Sequence, residues 1–219
     1  MRISSHQNPK FKLAMSLREK RDRTKHNLFS VEGLNENRFA VVGGYKPNSF
    51  FIPTSELDKG VKEFLAQHPN VPVFELEDFL FNKLAVRELR GQVIGLFNIQ
   101  DLPLDEVKLS KNPLILVADG VEKPGNLGAI LRSCDAFDID AIFVTGLGVD
   151  LFSPNVVRAS LGGLFLKQVL TATPEQVVDF CKRRNLEIYL ALPHAEEVYN
   201  MNKGKPPCAL VERDEPEGV

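Results

Sequence analysis

Two kinds of hydrophobic pattern alternate along this chain. Leu114-Ile115-Leu116-Val117-Ala118 and Ala141-Ile142-Phe143-Val144 are unbroken apolar runs, the pattern of strands buried on both faces in a parallel sheet. Between them Ile130, Cys134 and Phe137 recur at i, i+4 and i+7, which predicts the core-facing stripe of a helix. Extended along the chain, the same reading predicts strands at 114–118, 141–145, 167–170, 187–192 and 208–211, with helices over 126–137, 153–164 and 174–184. Thr173-Pro174 gives the last helix a capping residue followed by proline at its first position. This alternation predicts a mostly parallel, Rossmann-like α/β sheet with helices on both faces.

An amino-terminal block reads as a second, smaller α/β unit. Helices are predicted over 8–22, 34–43, 55–67 (capped at Thr54-Ser55) and 77–85, with strands at 28–32, 49–52, 71–74 and 93–97. Gly43-Gly44 and Pro47 break the pattern within it, and Pro103 and Pro113 bracket a polar stretch beyond it. The division expected is 1–100, a linker at 101–112, and 113–219.

The stretch from Gly120 to Phe137 connects the two apolar runs and is where an open α/β sheet binds ligands, at the carboxyl end of a strand and the start of a helix. Asn126 suits a helix N-cap. Arg132 lies off the apolar stripe, with mostly small neighbours one turn away (Gly128, Ala129, Asp135, Ala136) and open space for its guanidinium. Gly120 to Gly125 has the spacing of a phosphate-cradling loop, but Asn126-Leu127 replaces the Lys-Ser/Thr that would reach phosphate and magnesium, which excludes a P-loop triphosphatase. The chain has no GxGxxG there either. On pattern alone two readings stay open: a ligand site, or a capped helix whose Arg132 pairs with Asp135 at the surface.

Charge adds a partner. The formal net charge is −2, yet residues 1–26 hold eight basic side chains against two acidic ones, so this block carries +6 and the rest −8. Lys10, Lys12, Arg18, Lys20, Arg21 and Arg23 form a basic face suited to phosphate contacts, with only Phe11 interleaved for stacking; a solvated helix face is the other reading. Cys134, Cys181 and Cys208 are odd in number and set among apolar residues, as reduced core thiols are. His6, His26, His68 and His194 lack metal-ligand spacing, and no metal is expected. Ser160 beside Arg158 lacks the G-x-S-x-G of an esterase and reads as a packing residue with Gly162 and Gly163. No apolar run approaches the ~18–20 residues that cross a membrane, and Met1-Arg2-Ile3-Ser4-Ser5 lacks a signal peptide's apolar core, so the compartment expected is the cytoplasm.

Asn126-x-Gly128-Ala129-x-x-Arg132-x-x-x-Ala136 resembles motif 1 of the SpoU (TrmH-like) RNA 2′-O-ribose methyltransferases, a branch of the knotted SPOUT superfamily. The segment from Phe152 to Phe165 is similar to a second stretch of that family, and Ser5-His6-Gln7-Asn8-Pro9-Lys10 with Phe29-Ser30-Val31-Glu32-Gly33 to its substrate-binding domain. The resemblance implies S-adenosylmethionine as methyl donor, the ribose 2′-hydroxyl of a structured RNA (ribosomal in preference to transfer RNA) as acceptor, a homodimer, and a trefoil knot that no pattern here predicts. It places Asn126, Arg132 and Glu215 at the reacting centre, and Glu215, Gly218 and Gly146 at the donor pocket. The family assigns Arg132 to activating the hydroxyl; a guanidinium stays protonated near neutral pH, so stabilising the developing alkoxide and gripping the adjacent phosphate suits it better.

Two departures stand against the resemblance. Arg213 occupies a motif 2 position that is usually glycine, where its side chain is expected to intrude on the donor, and the third motif is not found before Val219. They leave a second reading: an RNA-binding protein of the same fold without competent cofactor binding.

Overall fold

A computed structural model describes residues 1–86, 92–146, 150–191 and 205–213. The amino-terminal unit contains β1 (Arg2–Ile3), α1 (Pro9–Ser16), α2 (Lys20–His26), β2 (Leu28–Glu32), α3 (Leu34–Val42), β3 (Pro47–Pro53), α4 (Lys59–Ala66), β4 (Val73–Leu76), α5 (Asp78–Leu84) and β5 (Ile94–Asn98). Its sheet runs β1-β4-β3-β5-β2, with β1, β4 and β3 parallel to one another and β5 antiparallel to both β3 and β2. The second unit contains β6 (Leu114–Asp119), α6 (Pro124–Ala136), β7 (Ala141–Thr145), α7 (Pro154–Ala159), α8 (Gly163–Leu166), β8 (Gln168–Thr171), α9 (Pro174–Arg183), β9 (Glu187–Ala191) and β10 (Cys208–Arg213). Its order is β8-β7-β6-β10-β9, and every ladder is parallel. The chain moves outward from β6 to β8, crosses to β9 at the far edge and returns at β10 beside β6. That reversal places a crevice at the carboxyl ends of β6 and β10, where open parallel sheets bind their ligands.

The expectation at 141–145 holds because a parallel strand buried on both faces needs apolar residues at every position, and β7 is buried throughout; β9, at the edge of the sheet, is mostly exposed, and β1 is not among the expected strands. The helices differ in informative ways. The single helix expected over 8–22 is two, because the Arg23 guanidinium takes the carbonyls of Leu17 and Arg18, which a continuous helix would use in its own ladder. The helix expected over 153–164 also breaks, since Leu161 and Gly162 turn left-handed at φ 49° and 98°. Gly162 cannot be replaced there without cost, as an added Cβ would lie 2.3 Å from the Phe39 ring. Thr54 and Ser55 do not cap α4; the Thr54 hydroxyl and the Ser55 N–H donate instead to Asp78. In α6 the N-cap is Lys123, with Pro124 at the first position, so Asn126 sits inside the first turn rather than capping it. The core stripe is Leu127, Leu131 and Cys134; Ile130 is half-buried, and Phe137, beyond the last helical residue, is 77% exposed.

One core spans both units. Phe29, Val31, Ala40 and Phe50 of the first unit belong to the same cluster as Leu127, Leu131, Phe152, Leu164 and Phe165 of the second. A further cluster on the other face of the second sheet joins Val107 to Ile115, Val117, Phe143 and Phe180, so part of the stretch expected as linker is packed against the parallel sheet. Among the described residues no helix is long and apolar enough to cross a membrane.

Candidate active site

The site is built where β6, β7 and β10 end. Asp119 is the last residue of β6 and pairs in register with Thr145 on one side and Arg213 on the other. The Thr145 hydroxyl donates to Asp119 Oδ1 at 2.6 Å, and Gly120 N–H donates to the Thr145 carbonyl at 3.0 Å. On the other side Arg213 Nε lies 3.8 Å from Asp119 Oδ2, a long and largely solvated ion pair of small energetic weight. Gly146, at φ 82°, follows β7 and lies against Gly120.

Beside these strand ends opens a cleft of about 250 Å³ lined by Val121, Asn126, Ala129, Ile130, Glu212 and Arg213. Three small or apolar side chains form one wall, and an amide, a carboxylate and a guanidinium stand around it. That mixture suits a ligand with a flat apolar part and charged ends. The volume is below the ~300–1,000 Å³ usual for ligand pockets, so these residues form part of a site.

Arg132 is not in that wall. It lies six residues beyond Asn126, which on an α-helix is roughly a third of a turn round the axis. The Arg132 side chain faces α7, and its Nη1 donates to the Ala159 carbonyl at 3.0 Å, leaving the guanidinium at the surface. Its partner is therefore this carbonyl and not Asp135. The helices are close enough because residue 128 is glycine: a Cβ there would lie 2.3 Å from Ala159 Cβ and 2.7 Å from its carbonyl carbon. Glu215 and Gly218 lie outside the described residues.

The basic block is only partly a surface. Lys10, Lys12, Lys20 and Arg21 are exposed on α1 and α2. Arg18 Nη2 donates to the carbonyls of Lys83, Leu84 and Ala85, closing off the end of α5. Arg23 corrects the expectation outright. It is 3% exposed and held by Asp150 at 2.7 Å, so an RNA phosphate has no access to it.

Burial disfavours the thiolate form of all three cysteines. Cys134 is pushed up to about 11, first by burial and then by the charge of Glu212, with Lys167 opposing. Burial also raises Cys181, and raises Cys208 with help from Glu187. All three cysteines are buried, and no disulfide joins any two of them. Among the described residues no group of three or more His, Cys, Asp or Glu is placed to hold a metal ion. Two features of the site are absent from the expectations above. Asp119 has a signal, an acidic residue ending an apolar strand; the Ala159 carbonyl has none, because it is backbone.

A parallel sheet with a cleft at its reversal point, sharing its core with a unit that exposes a basic helix pair, defines a class: two-unit α/β proteins with room for a ligand beside the strand ends. The particular family follows from comparison. Residues 113–219 match the SpoU rRNA methylase family and residues 8–95 the MRM3-like substrate binding domain. A solved RNA 2′-O ribose methyltransferase is 36% identical, with 100% of this chain and 84% of that one covered and a TM-score of 0.83. The chain belongs to the SpoU family. An AdoMet-bound rRNA methyltransferase from Sinorhizobium meliloti shares the fold at a TM-score of 0.85, covering 98% and 82% of the two chains at 24% identity. The 23S rRNA (uridine(2479)-2′-O)-methyltransferase of Streptomyces viridochromogenes is 28% identical over 74% of this chain, which spans 57% of that relative's length.

Proposed function

We propose that this protein transfers the methyl group of S-adenosylmethionine to a ribose 2′-hydroxyl of ribosomal RNA. The observation that carries the reading is the motif 1 helix itself. α6 starts at the carboxyl end of β6, turns Asn126 into the cleft and sends a surface guanidinium, Arg132, to a fixed backbone partner. The AdoMet held by the Sinorhizobium relative and the ribosomal RNA named for the Streptomyces relative support donor and acceptor respectively.

The residues around the cleft fit part of such a donor. Val121, Ala129 and Ile130 offer apolar surface, and Asn126, Glu212 and Asp119 offer acceptors for its amino groups, with Gly146, Glu215 and Gly218 the remaining candidates. When bound, S-adenosylmethionine supplies an electrophilic methyl. The chain's own part is positional and electrostatic: Arg132 presents a planar charge to a developing alkoxide and the adjoining phosphate, pre-oriented by Ala159. Lys10, Lys12, Lys20 and Arg21 supply phosphate contacts that hold the RNA in register without reading its sequence. Residues 1–100 thus present the RNA and 113–219 carry the chemistry, in a cytoplasmic homodimer that covers apolar side chains left exposed here, such as Leu190 at 60%.

Arg132→Ala should lower methyl transfer ~10²–10³-fold, the usual loss for one preorganised charge contact, with the melting temperature unchanged. Incorporation of tritiated methyl into ribosomal RNA, followed by nuclease mapping of the ribose methyl, measures it. Near-normal transfer, or methyl found on a base, would overturn the assignment.

A further inference from the structure

Arg23 is the most deeply buried charged side chain among the described residues, and RNA binding does not explain it. Its Nη1 donates to the carbonyls of Leu17 and Arg18 at 2.6 and 2.7 Å, and its Nη2 to Asp150 Oδ2 at 2.7 Å. Its Nε has no acceptor. A guanidinium buried with one N–H unsatisfied is a poor stability device, since desolvation offsets much of what the ion pair contributes.

The other end of the pair leads to the site. Asp150 Oδ1 accepts from Phe152 N–H at 2.9 Å, which folds the turn in front of α7. The next residue, Ser153, caps α7, its hydroxyl oxygen accepting from Val156 N–H at 3.3 Å. α7 is only 6 residues long, about 9 Å at the usual rise, and its final carbonyl, Ala159, is the one that holds Arg132. With Gly128 against Ala159 the helix has no slack toward α6, so moving its first turn moves the Arg132 partner.

We propose that Arg23 is a positioning residue for the transfer. Its buried pair with Asp150 seats α7 so that the Ala159 carbonyl holds the Arg132 guanidinium in the orientation the reaction uses. The inference rests on Arg132 being the charged group at the reacting centre. It also means that the helix presenting Lys20 and Arg21 to solvent carries, on its inner face, the residue that aims the chemistry.

The test uses the full chain with Arg23→Lys, Asp150→Asn, the double variant and Arg132→Ala. Asparagine keeps an oxygen for Phe152 N–H and removes only the charge, so Asp150→Asn retains the turn. Single-turnover methyl transfer at saturating donor and RNA, RNA affinity by filter binding and donor affinity by calorimetry are measured on each. A misplacement near 1 Å at a reacting group costs up to ~10²-fold, so each single variant should lose ~10-fold or more in rate, with both affinities within about twofold of the parent. The double variant should be no slower than the slower single, because the two residues act as one unit. A folded Asp150→Asn protein with parental rate overturns the proposal. So does weakened RNA binding at unchanged rate, which would return Arg23 to the RNA surface, and so does failure of both single variants to fold, which would make the pair a stability element alone. Arg132→Ala separates the levels: if it stays active the reading of the site fails, whereas an inactive Arg132→Ala beside a fully active Asp150→Asn sinks only this inference.

Discussion

Gly128→Ala tests the packing of α6 on α7, and Gly125→Ala in the same helix supplies its control. An ideal Cβ at 128 would meet Ala159 Cβ at 2.3 Å, its carbonyl carbon at 2.7 Å and its carbonyl oxygen at 2.9 Å. None of these atoms can be moved by a rotamer change, so α7 itself must retreat by roughly 1 Å to restore van der Waals contact. Overpacking of this kind costs ~1–3 kcal/mol, and backbone on the receiving side puts it near the upper end. Alanine's advantage over glycine in a helix contributes ~1 kcal/mol the other way, leaving a net destabilisation of about 2 kcal/mol. At 125 nothing lies within 4 Å of the added atom, so only the backbone gain remains, ~0.5 kcal/mol of stabilisation in the first turn. Urea unfolding followed by circular dichroism should therefore shift in opposite directions for the two variants. Gly128→Ala should also slow methyl transfer, because the retreat of α7 takes the Ala159 carbonyl from Arg132. Equal or raised stability of Gly128→Ala would refute the packing argument, and full activity in a destabilised Gly128→Ala would refute the link to Arg132.

Two further outcomes are expected. Replacing Lys20 and Arg21 with alanine should flatten the salt dependence of RNA binding by ~0.7–0.9 in log–log slope for each phosphate no longer neutralised, whereas Arg23→Lys should leave the slope alone; equal slopes for all variants would show that α2 is only solvated. Asp140 at the amino end of β7 bears on acid stability. Burial raises its carboxyl, but the N–H groups of Ser110 at 2.7 Å and Leu114 at 2.9 Å, with the charge of Lys167, together hold it below the ordinary carboxylate range. A folded-state value below the unfolded one contributes stability that is present at neutral pH and lost as pH falls through the folded value. Asp140→Asn should thus cost about 1–2 kcal/mol near pH 7 and progressively less toward pH 3. A pH-independent difference in melting would contradict it.

The parallel sheet is readable from the sequence because its physics is local. A strand buried on both faces must be apolar at each residue, and 114–118 and 141–144 announce that without reference to anything else. The phase of the α6 stripe is not readable in the same way: Ile130 and Phe137 fit the spacing, but Leu127 and Leu131 fit it too, and only the neighbouring sheet decides which set is buried. The break in the first helix is beyond reach, since the group that takes the carbonyls of Leu17 and Arg18 is held from Asp150, 127 residues away. For the same reason a count of basic residues overstates the RNA-facing surface. Charge is legible in a sequence, but the face on which a charge lies depends on where its helix packs.

The packing between the units bears on how substrate and chemistry are brought together. Phe29 of β2 is fully buried and meets Phe152 at 4.7 Å and Phe165 at 6.0 Å between ring centroids, while Tyr45 lies edge-on to Phe165 at 5.2 Å. Burial, with Asp101 nearby, pushes the Tyr45 phenol up to about 12. Gly43 admits the Phe165 carbonyl where a Cβ would meet it at 2.1 Å, bringing backbone against backbone. Aromatic pairs contribute ~0.5–1.5 kcal/mol each beyond the area they bury, and several converge here. A module tethered by a linker would hinge freely and would incur an ordering cost whenever RNA bound. In this arrangement the basic face of α2 is held against the second unit by packing. The Arg23–Asp150 pair ties α2 to the turn before α7, and the aromatic junction ties β2 to the same turn and to α8, so the distance from the basic face to Arg132 is set by the fold.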